Sequence, residues 1–247
     1  MGVLHGRTAL VTGGSRGLGW EMARGIAREG ADVVIVSRKQ QPCEERAEQI
    51  RSEFGVQAFA RSCHVGDWAQ CDALIDWVAR NVGEIDVLVN NAGMSPLYPS
   101  VDQVEEALFD KVIATNLKGP FRLSAAFGAR MAAGRGGSII NISSIEADRP
   151  TAAAVPYAAA KAGLNAMTAG LAQALGPAVR VNTIQAGPFL TDISQAWPAD
   201  ALEQIAGSFA LERAGRPDEI VGAALFFATD ASAYCTGSVL KLDGGPR

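Results

Sequence analysis

The chain has 247 residues, 22 Lys+Arg against 26 Asp+Glu, and a formal net charge of −4. At 48% hydrophobic and 19% charged residues it has the composition of an ordinary globular protein, able to bury roughly three quarters of its unfolded surface. Mild acidity without a Lys/Arg run argues against nucleic acid as a partner, and two histidines, His5 and His64, cannot build a multi-histidine metal centre, so no metal is expected.

The first apolar run, 8–12, reads as a strand. It is followed by Thr12-Gly13-Gly14-Ser15-Arg16-Gly17-Leu18-Gly19 and then by a helix opening at Trp20-Glu21-Met22-Ala23. Glycines let the backbone turn sharply and approach a pyrophosphate, and a helix N-terminus offers free N–H groups. Gly13, Ser15, Arg16, Gly17, Leu18 and Gly19 are therefore candidate dinucleotide contacts. The second strand, 32–37, decides which dinucleotide. An acid at its tip would bind the 2′-hydroxyl of NAD(H), but this tip reads Ser37-Arg38-Lys39. Arg, Lys and a small hydroxyl suit a 2′-phosphate, and Arg16 is placed to face the same group. The cofactor expected is NADP(H), with NAD(H) as the alternative.

A helix over 44–54, a strand over 56–63, a helix over 67–82 and a strand over 86–90 continue the alternation. The third strand ends Cys63-His64-Val65. His64 is either an adenine contact or a partly exposed strand-end histidine. The four cysteines, Cys43, Cys63, Cys71 and Cys235, form no CxxC pair and read as reduced thiols. No long apolar leader opens the chain, so a cytoplasmic protein is expected.

The fifth strand, 138–142, leads to Ser144, thirteen residues before Tyr157. Tyr157 and Lys161 are four apart and share a helix face. A tyrosine titrates near ~10 in water, and a neighbouring ammonium is expected to lower that value. Strands over 179–184 and 238–242 and a helix over 218–229 complete the alternation. Such alternation implies an α/β fold, a doubly wound, Rossmann-like parallel sheet of about seven strands within one domain, 1–247. The long segment 187–216 breaks the rhythm and reads as a substrate loop.

Taken together these residues resemble the single-domain short-chain dehydrogenases/reductases. The resemblance runs through Thr12-Gly13-x-x-x-Gly17-x-Gly19, Asn90-Asn91-Ala92-Gly93, Asn116, Ser144, Tyr157-x-x-x-Lys161, Gly187-x-x-x-Thr191, Gly215-Arg216-Pro217 and Asp243-Gly244-Gly245. It implies strand order 3-2-1-4-5-6-7 and hydride transfer between nicotinamide and a ketone or secondary alcohol. Tyr157 is then the general acid/base, Lys161 lowers its pKa and holds the nicotinamide ribose, and Ser144 polarises the substrate oxygen. Asn116 holds a water of the proton relay, Asn91, Ala92 and Gly93 pass under the adenosine ribose, and Thr191 fixes the carboxamide beside Gly187 and Phe189. Two positions depart from the family: Ala186-Gly187 stands where Pro-Gly is usual, and His64 before Val65 stands where an Asp usually meets adenine.

Ser95, Leu97, Ile145, Val155, Phe189 and Trp197, with Ser144 and Tyr157, are the candidate substrate contacts, and most are apolar or small. Glu146 is either a solvent-facing loop carboxylate or a pocket group favouring a hydroxylated or cationic substrate. Two other readings are a 3-oxoacyl-thioester reductase, for which only Arg122, Arg130 and Arg135 offer a basic patch, and an NADP(H)-sensing regulator without catalysis. The family also implies a homotetramer, with a dimer as second choice. The helix carrying Tyr157 is apolar nearly all round, which leaves a face for a partner beyond the one on the sheet.

Overall fold

The computed structural model describes residues 2–192, 194 and 200–247. Seven parallel strands form one sheet: β1 Thr8–Thr12, β2 Asp32–Ser37, β3 Ala58–Ser62, β4 Val87–Asn90, β5 Gly137–Ser144, β6 Val179–Ala186 and β7 Val239–Leu242. Their order is β3-β2-β1-β4-β5-β6-β7, as the alternation and the resemblance imply. β1, β2 and β4 are buried along most of their length and apolar at their centres because helices cover both faces of the sheet. The helices are α1 Gly17–Arg28, α2 Gln40–Phe54, α3 Trp68–Asn81, α4 Glu106–Ile113, α5 Gly119–Ala133, α6 Val155–Leu175, α7 Ala201–Ser208 and α8 Val221–Ala228.

Two apolar cores result. Trp20, Met22 and Ile26 of α1, Cys43 and Ile50 of α2 and Phe227 of α8 pack on one face. Leu74 and Val78 of α3, Leu123 and Phe127 of α5 and Ala172 of α6 pack on the other. The direction of winding reverses between β1 and β4. Their carboxyl ends therefore splay apart, and a crevice opens there.

Several boundaries differ from expectation for local reasons. α1 begins at Gly17, inside the glycine motif, with no side chain capping it, so its first N–H groups remain free for a ligand. α2 begins at Gln40 with Pro42 in its first turn, a position that needs no N–H donor. It ends at Gly55, whose φ of 70° is left-handed. The expected helix 218–229 opens as a 3₁₀ turn, Pro217–Ile220, before α8.

Asp86 ties the centre of the sheet together. It is buried, accepts from Thr8 N at 2.8 Å, and pairs with Arg7 at 3.1 Å and Arg135 at 2.7 Å. Asp86→Ala strands the Thr8 amide and unpairs Arg7, while Arg135 keeps Glu84 at 3.8 Å. The expected cost is about 1–3 kcal/mol, read as a lower urea midpoint; an unchanged midpoint would refute this account.

Candidate active site

A cavity of about 660 Å³ opens at the carboxyl ends of the strands, lined at one end by Gly13, Arg16 and Arg38 and at the other by Ser144, Tyr157 and Phe189. The glycine turn forms its floor. Gly13 and Gly17 have φ of 65° and 54°, conformations that favour glycine. A Cβ on Gly13 would stand 2.7 Å from Asn91 Nδ2, and one on Gly19 2.3 Å from the Gly13 carbonyl oxygen. Gly19 does not line the cavity. It lets α1 close against the turn, and is a packing glycine where a contact was expected.

Thr12 locks this turn to the strand beside it. Its hydroxyl donates to Val89 O at 3.2 Å and accepts from Asn91 N at 3.0 Å and Ala92 N at 3.1 Å. Arg46, one of the residues that spacing alone did not single out, donates to Ser15 O at 3.2 Å and lies 4.4 Å from the Trp20 ring centroid. α2 thereby holds the outer side of the glycine turn.

Ser37, Arg38 and Lys39 line the same end of the cavity as Arg16 and Ser15. The Ser37 hydroxyl is 2.9 Å from the Cys43 sulfur, and Arg38 and Lys39 are exposed. This end of the site offers three cations and the hydroxyls of Ser15 and Ser37. His64 and Val65 line the cavity, and His64 Nδ1 accepts from Gly66 N at 3.2 Å. This contact shapes the strand-end turn. Pro42, Met94, Thr115, Ile142, Ser143, Pro188 and Asp192 also line the cavity. None carries a motif of its own, so only the fold reveals them.

At the other end, Ser144 terminates β5 and pairs in register with Ala186 of β6, which brings Gly187 beside it. α6 presents Tyr157 and Lys161 to the same space. Lys161 is 4% exposed; its Nζ donates to Ile142 O at 2.8 Å and lies 5.5 Å from the Tyr157 ring centroid. Burial pushes the Tyr157 hydroxyl up to about 12, opposed by Ser144 and reinforced by the charge of Glu146. The expected lowering by Lys161 does not appear. Burial brings the lysine itself down to about 8, so both groups shift toward their neutral forms.

Asn116 lies in a π turn, Ala114–Lys118, that joins α4 to α5. Fully buried, it does not line the cavity. Its Nδ2 donates to Met94 O at 2.8 Å and Val112 O at 2.9 Å, and its Oδ1 accepts from Met94 N at 3.2 Å. The amide is spent on fixing the segment that holds Asn91, Ala92 and Gly93, all three of which line the cavity. Gly187, Phe189 and Thr191 close the site. The segment 187–216 is pinned at its two ends, where Leu190 N donates to Gly215 O at 2.8 Å and Gly215 N to Pro188 O at 2.9 Å.

Of the expected substrate contacts, Ser95, Ser144, Tyr157 and Phe189 line the cavity, whereas Leu97, Ile145, Glu146 and Val155 do not. Leu97 is 87% exposed, because its neighbour Tyr98 is the residue that turns to latch the loops. The Tyr98 hydroxyl donates to Ala152 O and accepts from Val155 N, each at 2.8 Å. Val155, set at the first turn of α6, faces outward. Ile145 and Glu146 form the 3₁₀ turn after Ser144, set back from the cavity wall and half-buried. Trp197 lies outside the described residues. Among the described residues no His/Cys/Asp/Glu group could hold a metal ion.

Residues 13–246 match a family profile described as Enoyl-(Acyl carrier protein) reductase. The chain is 34% identical to Dehydrogenase/reductase SDR family member 4 of Bos taurus, over 98% of this chain and 88% of the relative. The chain belongs to the short-chain dehydrogenase/reductase family. It is an oxidoreductase of that family. It is also 35% identical to the NADP-dependent mannitol dehydrogenase of Alternaria alternata, over 98% of this chain and 92% of the relative. Its fold superposes on a gluconate 5-dehydrogenase from Burkholderia cenocepacia, solved in complex with NADP and tartrate, with a TM-score of 0.92 at 34% identity, over 98% and 95% of the two chains.

Proposed function

We propose that this chain is an NADP(H)-dependent oxidoreductase that interconverts a ketone and a secondary alcohol, with residues 1–247 as one catalytic domain and 187–216 as its substrate loop. The observation that carries the reading is the shared cavity. It places Arg16, Ser37, Arg38 and Lys39 at one end and Ser144, Tyr157 and Lys161 at the other, over a glycine cradle that a Cβ would fill. NADP-dependent relatives of similar length support the choice of cofactor.

When bound, the dinucleotide supplies or accepts the hydride. Gly13, Gly17 and the free N–H groups of α1 would hold its pyrophosphate, and Ser15, Arg16, Ser37, Arg38 and Lys39 would hold the 2′-phosphate. Asn91, Ala92 and Gly93 would contact the adenosine ribose, and Thr191 would hold the carboxamide. Ser144 hydrogen-bonds the substrate oxygen. Tyr157 donates its phenolic proton to that oxygen in reduction and takes it back in oxidation, acting as general acid and base. Lys161 stabilises the phenolate left behind. Asn116 acts through Met94, as a positioning residue.

A hydride-transfer assay over a panel of ketones with NADPH and NADH tests the reading. NADPH should be consumed, and the absence of ketone-dependent consumption would leave a binding-only protein. A thioester of acyl carrier protein finds no dedicated basic patch. Arg122 is bonded to Asp72 at 2.5 Å, Arg130 to Ile75 O at 3.1 Å and Arg135 to Asp86.

The protein is proposed to act in the cytoplasm, a setting supported by four thiols without a disulfide, and no described helix is long and apolar enough to cross a membrane. It is proposed to be a homotetramer, with a dimer as second choice. The outward face of α6 exposes Ala159, Ala162, Ala166, Ala169 and Gly170, which permits close approach of a two-fold mate. Phe226, Tyr234, Val239 and Leu240, toward the end of the chain, are also exposed, and dihedral symmetry would provide two kinds of interface. Light scattering should give a mass near four times 25.8 kDa; a monodisperse monomer would overturn the assembly.

A further inference from the structure

Two parts of the dinucleotide end, the glycine turn and the tip of β2, are bonded to one helix. α2 opens directly after the tip of β2. Cys43, in its first turn, is buried; its sulfur lies 2.9 Å from Ser37 Oγ and donates to Lys39 O at 3.2 Å. One turn on, Arg46 Nε donates to Ser15 O at 3.2 Å, at the crest of the glycine turn. Residues three apart are neighbours on a helix surface, so one edge of α2 carries both contacts. Neither Cys43 nor Arg46 lines the cavity. Arg46 borders the outer side of the turn, together with Arg16 and Trp20.

The glycine turn is held unevenly. Its base is secured several times over: Thr12 Oγ1 accepts from Asn91 N and Ala92 N, Asn91 Nδ2 donates to Thr12 O at 3.0 Å, and Gly14 N donates to Val36 O at 3.1 Å. Among the described residues, Arg46 is the one group that hydrogen-bonds Ser15. The Ser15 carbonyl belongs to the peptide that joins Ser15 to Arg16. In a trans peptide the N–H points opposite to the C=O, so Arg46 fixes this peptide plane, turns the Arg16 N–H away from itself, and sets where the Arg16 side chain leaves the backbone. The guanidinium is fixed in turn. Its Nη1 donates to Gln49 Oε1 at 2.8 Å, and its central carbon lies 4.4 Å from the ring centroid of the buried Trp20. A planar guanidinium bonded at its edge and placed over an aromatic face is held rigidly.

We propose that Arg46 is a positioning residue for cofactor choice: by holding the peptide between Ser15 and Arg16, it sets the Ser15 hydroxyl and the Arg16 side chain for a 2′-phosphate, without touching the cofactor itself. The proposal rests on the reading that Ser15, Arg16, Ser37, Arg38 and Lys39 hold that phosphate. Loss of the Arg46 bond frees the crest of the turn and leaves its base in place. A nucleotide with a 2′-phosphate, which needs the crest, then binds less tightly. One with a 2′-hydroxyl, which needs only the base, is unaffected.

Calorimetric binding of adenosine 2′,5′-bisphosphate and of 5′-AMP tests this without turnover. Wild type should bind the bisphosphate about tenfold more tightly or better, as expected for charge-assisted contacts to the added phosphate. Arg46→Met keeps a long apolar stem against Trp20 and removes the donor. It should weaken the bisphosphate by about five- to tenfold, less than direct loss of a phosphate contact, and leave 5′-AMP within about twofold. In turnover the same factor should appear in KM for NADPH and not in kcat. Arg46→Lys returns a donor on a similar stem and should recover most of the difference. A Met variant that keeps the wild-type preference, or that loses the bisphosphate and 5′-AMP alike, overturns the proposal, and so does a Lys variant no better than Met. Those results leave the NADP(H) reading standing. Equal affinity of wild type for the two nucleotides overturns that reading as well.

Discussion

Tyr157→Phe is expected to lower turnover by ~10²-fold or more while leaving NADPH affinity within about tenfold of wild type. The first figure is the usual scale for removal of a general acid. The second follows from what the substitution keeps, namely the ring that packs beside Lys161. In this site burial holds the Tyr157 hydroxyl up near about 12. The residue is therefore protonated at neutral pH, the form that reduction requires. Lys161 is brought down to about 8 by burial, so it is charged below that pH and loses its charge above it. Reduction by wild type should then be level at neutral pH and decline as pH rises through about 8. Oxidation needs the phenolate and should gain from higher pH until the lysine is neutral. Single-turnover rates with NADPH check both statements. A Phe variant that keeps more than about a tenth of the wild-type rate removes Tyr157 from the acid/base role.

What could be read from residues alone follows a physical pattern. The sheet was legible because buried parallel strands are nearly continuous apolar runs, as in 32–37, and turn signals separate them. The glycine motif, the basic tip of β2 and the Tyr157/Lys161 spacing were legible because each is local in sequence. Long-range consequences were not. The interaction of Tyr157 with Lys161 was expected to be charge on charge, but burial dominates both residues, and burial depends on the whole fold. Asn116 reads as a relay residue from its position, and position alone cannot show that its side-chain amide bonds to Met94 and Val112. Gly19 read as a phosphate contact because a packing glycine and a binding glycine look alike until the neighbouring carbonyl is placed. Thr12 and Arg46 act through contacts 77 and 31 residues away, which no local pattern encodes. Leu97 and Val155 are apolar, as a pocket wall would be, yet the Tyr98 latch leaves both facing outward.

Arg38→Ala is expected to raise the KM for NADPH by roughly ten- to a hundredfold, the equivalent of the ~1.5–3 kcal/mol carried by a hydrogen bond to a charged group, and to leave the KM for NADH within about twofold. Arg38 follows β2 directly, lines the cavity beside Ser37 and Lys39, and forms no ion pair among the described residues. Its guanidinium is free to close on a phosphate without breaking a contact. The 2′-hydroxyl of NADH offers no charge to meet it, so the loss is confined to the phosphorylated cofactor. Arg16 and Lys39 line the same cavity, which limits the loss, because two cations remain. Arg16→Ala alone should therefore weaken NADPH in the same sense, and the double variant should lose most of the preference for NADPH. If Arg38→Ala weakens NADPH and NADH equally, Arg38 holds the adenosine in general and the 2′-phosphate is read elsewhere. If neither changes, the basic tip of β2 is a solvated strand end, and cofactor choice belongs to Arg16 and the glycine turn.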